Sequence, residues 1–239
     1  MAAVLFAGSG AGVAHALTQA ERTSLPGLAT EHDGRWDYPE FGLPALPEGA
    51  PRAFAQGNPG QVHHADLREL LLPAPEDAEP LDALPDGAWL EPEDFAALYA
   101  EESREGIADA LVTHPLRHIT ARGWTMPDRT RTEIYLVRFT TGAVTDTFFH
   151  ESLGGHRDRI RLTAAPDGRV DEEWPRNARR IGGVETTVRD SAPDPGKDHT
   201  RYAYFRAGDT LGLVIQSHPD NAAEVPFHQT VMLQAQLLG

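Results

Sequence analysis

The stretch Arg201-Tyr202-Ala203-Tyr204-Phe205-Arg206-Ala207-Gly208-Asp209-Thr210-Leu211-Gly212-Leu213-Val214-Ile215-Gln216 reads as two strands folded back on one another. Aromatic and β-branched side chains suit a pleated, buried surface. Ala207-Gly208-Asp209 between the runs is a hairpin signal, because glycine reaches the positive φ that tight turns need. Strands joined this way are antiparallel.

Outward from this hairpin the same signs recur. Thr132-Glu133-Ile134-Tyr135-Leu136-Val137-Arg138-Phe139 is apolar on both faces and follows a strand-like run at His118–Thr125 with a turn at Met126-Pro127-Asp128. Arg159–Thr163 and Gly183–Arg189 are further candidate strands about the turn Pro166-Asp167-Gly168. Helical spacing appears three times. Glu91-Pro92-Glu93-Asp94 opens a run through Phe95, Leu98, Tyr99, Ile107, Leu111 and Val112, with Gly106 as a candidate break and Thr113-His114-Pro115 as the stop. Thr141–Leu153 is a second helix, with Gly154-Gly155 after it. A last, well-buried helix follows Asp220-Asn221 and runs to Leu238. Strand runs punctuated by helices argue for an α+β fold: an antiparallel sheet with helices packed on one face, over residues 90–239.

Residues 26–89 read differently. Pro44, Pro47, Pro73 and Pro75 stand in motifs that sustain neither helix nor central strand. This is an acidic, proline-rich spacer with one short helix at Asp66–Leu72. Its apolar residues Trp36, Tyr38, Phe41, Leu43, Leu46 and Phe54 make it a partly docked strap. Residues 1–25 are a signal or membrane-anchor segment: Ala2–Leu17 carries no charge and ends in Ala14-His15-Ala16, the small-x-small pattern of a cleavage site. No basic n-region precedes it. The run Gly8-Ser9-Gly10-Ala11-Gly12 is a poor dinucleotide fingerprint, with Val13 where glycine or alanine belongs and a proline-rich stretch where a βαβ unit should follow.

Composition narrows the function classes. With 36 acidic against 21 basic residues the formal net charge is −15, which opposes binding to nucleic acid. Basic residues do gather between His156 and Arg206, interleaved with acids, and read as a mixed solvated surface. Cysteine is absent, so disulfides, thiolate metal sites, cysteine nucleophiles and a lipid-anchoring cysteine are all excluded.

Gly123-Trp124, Thr132–Phe139, Ala223-Glu224-Val225-Pro226-Phe227 and the terminal Gln- and Leu-rich helix resemble uncharacterised exported or membrane-anchored proteins of high-GC actinobacteria. More loosely they are similar to the α+β extracellular domains of actinobacterial receptor kinases and cell-wall lipoproteins. The resemblance covers residues 85–239 and implies an extracytoplasmic sensor or binding module; it carries over no functional residue.

No chemical motif stands out. His63-His64-Ala65-Asp66 is the densest histidine cluster, but neighbours on an extended chain point to opposite sides. His150-Glu151 with His156 and Asp158 lacks the second histidine of a helical zinc motif, since Gly154 holds that position. Asp171-Glu172-Glu173 and Glu101-Glu102 are solvated charge runs, and Trp124, Trp174, Tyr202 and Tyr204 suit core packing better than a ligand wall. No serine sits in a Gly-x-Ser-x-Gly elbow. The expectation is an extracytoplasmic binding or sensor-like domain with no catalytic, cofactor or metal residues assigned. Its partner would be an extracellular ligand or protein, and only the N-terminal segment would touch a membrane. The alternative is a hydrolase-type enzyme with a site assembled from scattered residues.

Overall fold

The computed structural model of the chain describes residues 33–84, 86–87, 89–154, 160–172, 174–175, 180–192 and 196–239. The expected signal or anchor segment, residues 1–25, lies outside the described residues. The chain divides into a unit ending at Arg35 and a unit from Trp36 to Gly239, and every element described belongs to the second.

The apolar hairpin forms as its sequence predicts. Strands β8 (His199–Ala207) and β9 (Thr210–His218) pair from Ala207↔Thr210 to His199↔His218, leaving the two-residue loop Gly208-Asp209 with Gly208 at φ 54°. β9 then pairs with β4 (Arg131–Arg138), and β4 with β3 (His118–Thr125). On the other flank β7 (Val184–Asp190) pairs with β8. Short strands finish the edges. β1 (Glu79–Pro80) and β2 (Trp89–Leu90) lie along β3, and β5 (Arg169–Val170) and β6 (Arg180–Ile181) along β7. All these pairings are antiparallel. The candidate strand at Arg159–Thr163 is not one in its described part, where Leu162 makes isolated bridges to Tyr99 and Ala165.

The α+β class is as the sequence implies; the helices, expected on one face, divide between two. Helices α1 (Pro92–Ala96), α2 (Glu101–Thr113) and α3 (Gly142–Glu151) cover the face that carries Tyr135, Val137, Tyr204, Leu211 and Leu213. Helix α4 (Glu224–Leu238) covers the face of Ile134, Leu136, Ala203, Phe205 and Val214. The reason is already in β4 and β9: side chains alternate across a strand, and both sets here are apolar, so each face must be buried. The break between the first two helices falls at Ala97–Ala100 and not at Gly106. Ala100 is extended (φ −54°, ψ 142°) and donates its N–H to the Arg161 carbonyl at 3.0 Å, so a tertiary contact sets the break.

Residues 36–72 share the α4 core. Leu67, Leu70, Leu71 and Leu72 are buried in it around a 3₁₀ turn at Leu67–Leu70, and Trp36, Tyr38, Leu46 and Phe54 pack against it. Phe41 and Leu43 remain exposed. Two glutamines of α4 hold this extended backbone in the way a neighbouring strand would. Gln229 accepts from the Trp36 N–H and donates to the Trp36 carbonyl, each at 2.8 Å. Gln234 accepts from the Leu72 N–H at 2.9 Å and donates to the Leu70 carbonyl at 2.8 Å.

Candidate functional site

The histidines singled out by sequence have separate roles. His63 and His64 do face opposite ways: His64 is exposed, whereas His63 is buried between Asp209 Oδ1 (2.6 Å from Nδ1) and the Leu238 carbonyl (2.9 Å from Nε2). Both ring nitrogens of His63 thus face acceptors, and the ring ties residues 58–65 to the β8–β9 turn and the end of α4. Asp66 turns away to Arg68, whose hydrogen bonds lower its pKa to about 2. His150 is exposed on the outer side of α3 beside Arg206, with Nε2 at 3.3 Å from Nη1; His156 and Asp158 lie outside the described residues. Glu101 and Glu102 are exposed in the first turn of α2. Trp124 and Trp174 belong to the core under α4 and Tyr202 and Tyr204 to the opposite one, so the four rings form no common wall. Among the described residues no group of three or more His, Asp or Glu is placed to hold a metal ion.

A polar network absent from the sequence reading joins β5, β7, β8 and α4. His199 Nε2 lies 2.9 Å from Asp190 Oδ1 and 3.1 Å from the Ser191 carbonyl, while Nδ1 accepts from the Ala222 N–H at 3.1 Å. The proton therefore sits on Nε2, and neither nitrogen is left for proton transfer. Arg201 contacts Asp190 at 3.1 Å and lies 4.0 Å from Asp171. His228, in T-shaped contact with the Trp174 ring at 4.6 Å between centroids, lies 3.7 Å from Asp171 and 3.5 Å from Glu224. Burial raises the Asp190 pKa, against the pull of Arg201 and His199; burial lowers that of His228, against the pull of Glu224 and Asp171. Glu224 and His228 are one helical turn apart and Asp190, His199 and Arg201 lie within one hairpin, but Asp171 and the Ala222 N–H come from 20 or more residues away, and it is their arrival that closes the network.

Beside this network the flank of β7 opens into a groove of about 290 Å³, lined by Val170, Asp171, Trp174, Arg180, Glu185, Thr186, Thr187, Val188 and Arg206. Its charged wall is fixed. Arg206 pairs with Glu185 and, at 2.8 Å, with Asp146, and Arg180 reaches the same Glu185 at 3.7 Å. Two lining side chains are buried with a hydrogen-bonding atom unused, the Trp174 Nε1–H and the Thr186 hydroxyl. Unpaired buried donors cost stability, so each calls for an explanation. A wider hollow of about 520 Å³ around Lys197 contrasts with this, because its Ser191, Thr200 and Ser217 hydroxyls already bond within the protein.

No family model matches the chain, and no curated protein matches it. Among solved structures it is similar to the extracellular domain of PknH from Mycobacterium tuberculosis, at 14% identity and a TM-score of 0.43, over 73% of this chain and 96% of that one.

Proposed function

We propose that the chain is a non-enzymatic, extracytoplasmic binding or sensor-like domain that takes a small polar ligand in the β7 groove. The observation that carries this is an open groove whose lining includes Trp174 and Thr186, each of which holds a buried hydrogen-bonding atom, Nε1 and Oγ1, with no partner. A volume near 290 Å³ lies at the low end for ligand sites, which suits a small molecule. Binding is favoured over hydrolysis because the best-oriented imidazole, His199, has both nitrogens committed. The uncharged Ala2–Leu17 segment with its Ala14-His15-Ala16 end supports export. Among the described residues no helix is long and apolar enough to cross a membrane.

Thr186→Val tests the reading, because it removes the unused hydroxyl at nearly constant volume. The free variant should be as stable as wild type or up to about 1 kcal/mol more stable, while ligands that raise the wild-type melting temperature should lose that effect. A panel of amino acids, sugars, nucleotides and dipeptides supplies the probes. A destabilised variant would assign the hydroxyl to the fold instead, and an intact N-terminus in the cytosolic fraction of native cells would remove the extracytoplasmic part.

A further inference from the structure

Residues 219–223 join β9 to α4, and three consecutive amides of this loop end on two imidazoles. The Asp220 and Asn221 N–H groups both donate to Nδ1 of His218, each at 3.0 Å, and the Ala222 N–H donates to Nδ1 of His199 at 3.1 Å. The two rings belong to one cross-strand pair, His199↔His218, at the open end of the β8–β9 hairpin. We propose that the loop is a proton-released latch: uptake of a proton at His218 Nδ1 frees residues 219–222 and with them the start of α4. The inference goes beyond the β7-groove reading and does not depend on it, since the ligand here is the proton itself.

Donor geometry fixes the state of the ring. His218 Nε2 lies 2.9 Å from the Asp128 carbonyl, which can only accept, so the neutral ring carries its proton there. Nδ1 is then the acceptor for two N–H groups, and a second proton can enter only at that atom. An imidazolium has two donors and no acceptor, so a protonated Nδ1 would face two amide donors and the loop must leave it. His218 is half-buried and within reach of solvent, and imidazole is the side chain whose charge ordinarily changes between about pH 5 and pH 8.

The charges around the ring do not hold the loop shut. Its neighbours across the strands are His199 on β8 and, opposite Ser217, Arg131 on β4, which is paired with Glu133 at 2.5 Å. The β3–β4 turn brings Asp128, whose carboxylate accepts from the Thr130 N–H at 2.8 Å, and Arg129, which reaches Asp220 at 3.4 Å with both side chains largely exposed. An exposed pair of this kind adds little. Helix α4 contributes Glu224 and His228, 3.5 Å from one another. His199 stands in a different field, with Asp190 2.9 Å from its Nε2 and Arg201 3.1 Å from Asp190. His218 is therefore the sensing ring, and His199 holds the third amide.

The helix has no lock of its own. Its N-cap, Ala223, offers no side chain to the first-turn amides, so the start of α4 rests on the loop before it. Ala222 is fully buried, held by His199 and by Arg201, whose Nε donates to the Ala222 carbonyl at 3.0 Å. A proton that binds only the open loop raises the open-to-closed ratio by up to about tenfold for each pH unit through the histidine range.

The test is a ¹H–¹⁵N pH titration of the full chain from about pH 7.5 to about pH 5.5, with the His218 ring followed through its own ¹⁵N signals. At the upper pH the ring should be neutral with its proton on Nε2. As it titrates, the Asp220 and Asn221 amides should move towards random-coil positions and lose protection from solvent exchange, while core amides such as Ile134 and Val214 stay in place. His218→Asn supplies a carboxamide oxygen in place of Nδ1, an acceptor that does not titrate, and should abolish the pH-dependent movement of both loop amides. Loop amides that keep their protection while the ring titrates, or a ring still neutral at the lower pH, would overturn the proposal. So would the same movement in His218→Asn, or core amides lost together with the loop, which would mean global unfolding.

Discussion

His228 shows how a single ring couples this fold to pH. It lies on α4 with Glu224 one turn earlier, Asp171 across the gap, and Trp174 and Phe227 against its ring. Two carboxylates should favour the imidazolium, but burial outweighs them and holds the pKa below its ordinary 6.5. The sign follows from linkage. Below 6.5 the unfolded chain takes up a proton that the folded chain resists, so this ring's contribution to stability is lost as pH falls through that window. Asp190 acts oppositely and at lower pH: its raised pKa lets the folded state keep a proton above 3.8, so its effect opposes folding as pH rises. Urea midpoints at about pH 7.5 and about pH 5.5 should fall further for wild type than for His228→Gln; equal falls would show that the ring does not couple folding to pH. The adjacent pair His63-His64 was visible in the sequence, whereas His199 and His228 were not, because only the fold brings Asp190 against His199 and Asp171, at the β5 end, against His228.

Elements were legible where a local cause sets them and obscure where a distant one does. Strands β3, β4 and the β8–β9 hairpin fall within a residue or two of their expected spans, since alternation and the Gly208 turn are local signals. The end of α2 is local too, for His114 is extended before Pro115. Its start is not, because Ala100 is drawn out of the helix by the Arg161 carbonyl. The two hairpin-plus-helix segments, β3–β4–α3 and β8–β9–α4, are no structural repeat. A two-fold axis relating the hairpins across the antiparallel β4–β9 pair would leave both helices on one side, and they lie on opposite faces. Two glycines separate structural need from tolerance. Gly208 has φ 54° and a Cβ there would overlap the Gln61 carbonyl oxygen, whereas a Cβ at Gly106 in the middle of α2 meets nothing within 4 Å. Gly208→Ala should therefore cost more than about 2 kcal/mol, and Gly106→Ala should stabilise by about 0.5–1 kcal/mol. Denaturant midpoints check both, and a neutral Gly208→Ala would show that the hydrogen bond from the Asp209 N–H to the Gln61 carbonyl, 2.9 Å long, yields easily.

At the scale of the whole molecule, proline content and burial have to be kept apart. The prolines of residues 26–89 truthfully report little regular structure, for the described part holds only the 3₁₀ turn at Leu67–Leu70 and short edge strands, but they say nothing of whether an extended backbone is packed. Here it is: Leu67, Leu70, Leu71 and Leu72 are all at most 3% exposed, and each buried leucine contributes about 2 kcal/mol. Together that is about 8 kcal/mol, comparable with the whole stability of an ordinary domain. Polar contacts add to the dependence. Arg138 donates to the Ala65 carbonyl at 2.9 Å, His63 meets buried Asp209, and the two glutamines of α4 would lose their backbone partners. A fragment beginning at Leu90 would leave the faces of Trp124, Ile134, Leu136 and Phe227 uncovered. It should accordingly retain helix by far-ultraviolet circular dichroism while losing near-ultraviolet signal and amide dispersion, and it should bind hydrophobic dyes. A cooperative unfolding transition in that fragment would mean that the sheet and α4 are self-sufficient, with residues 36–89 only laid over a finished core. Loss of the transition would make those residues an integral layer of the fold, the one that completes the α4 face.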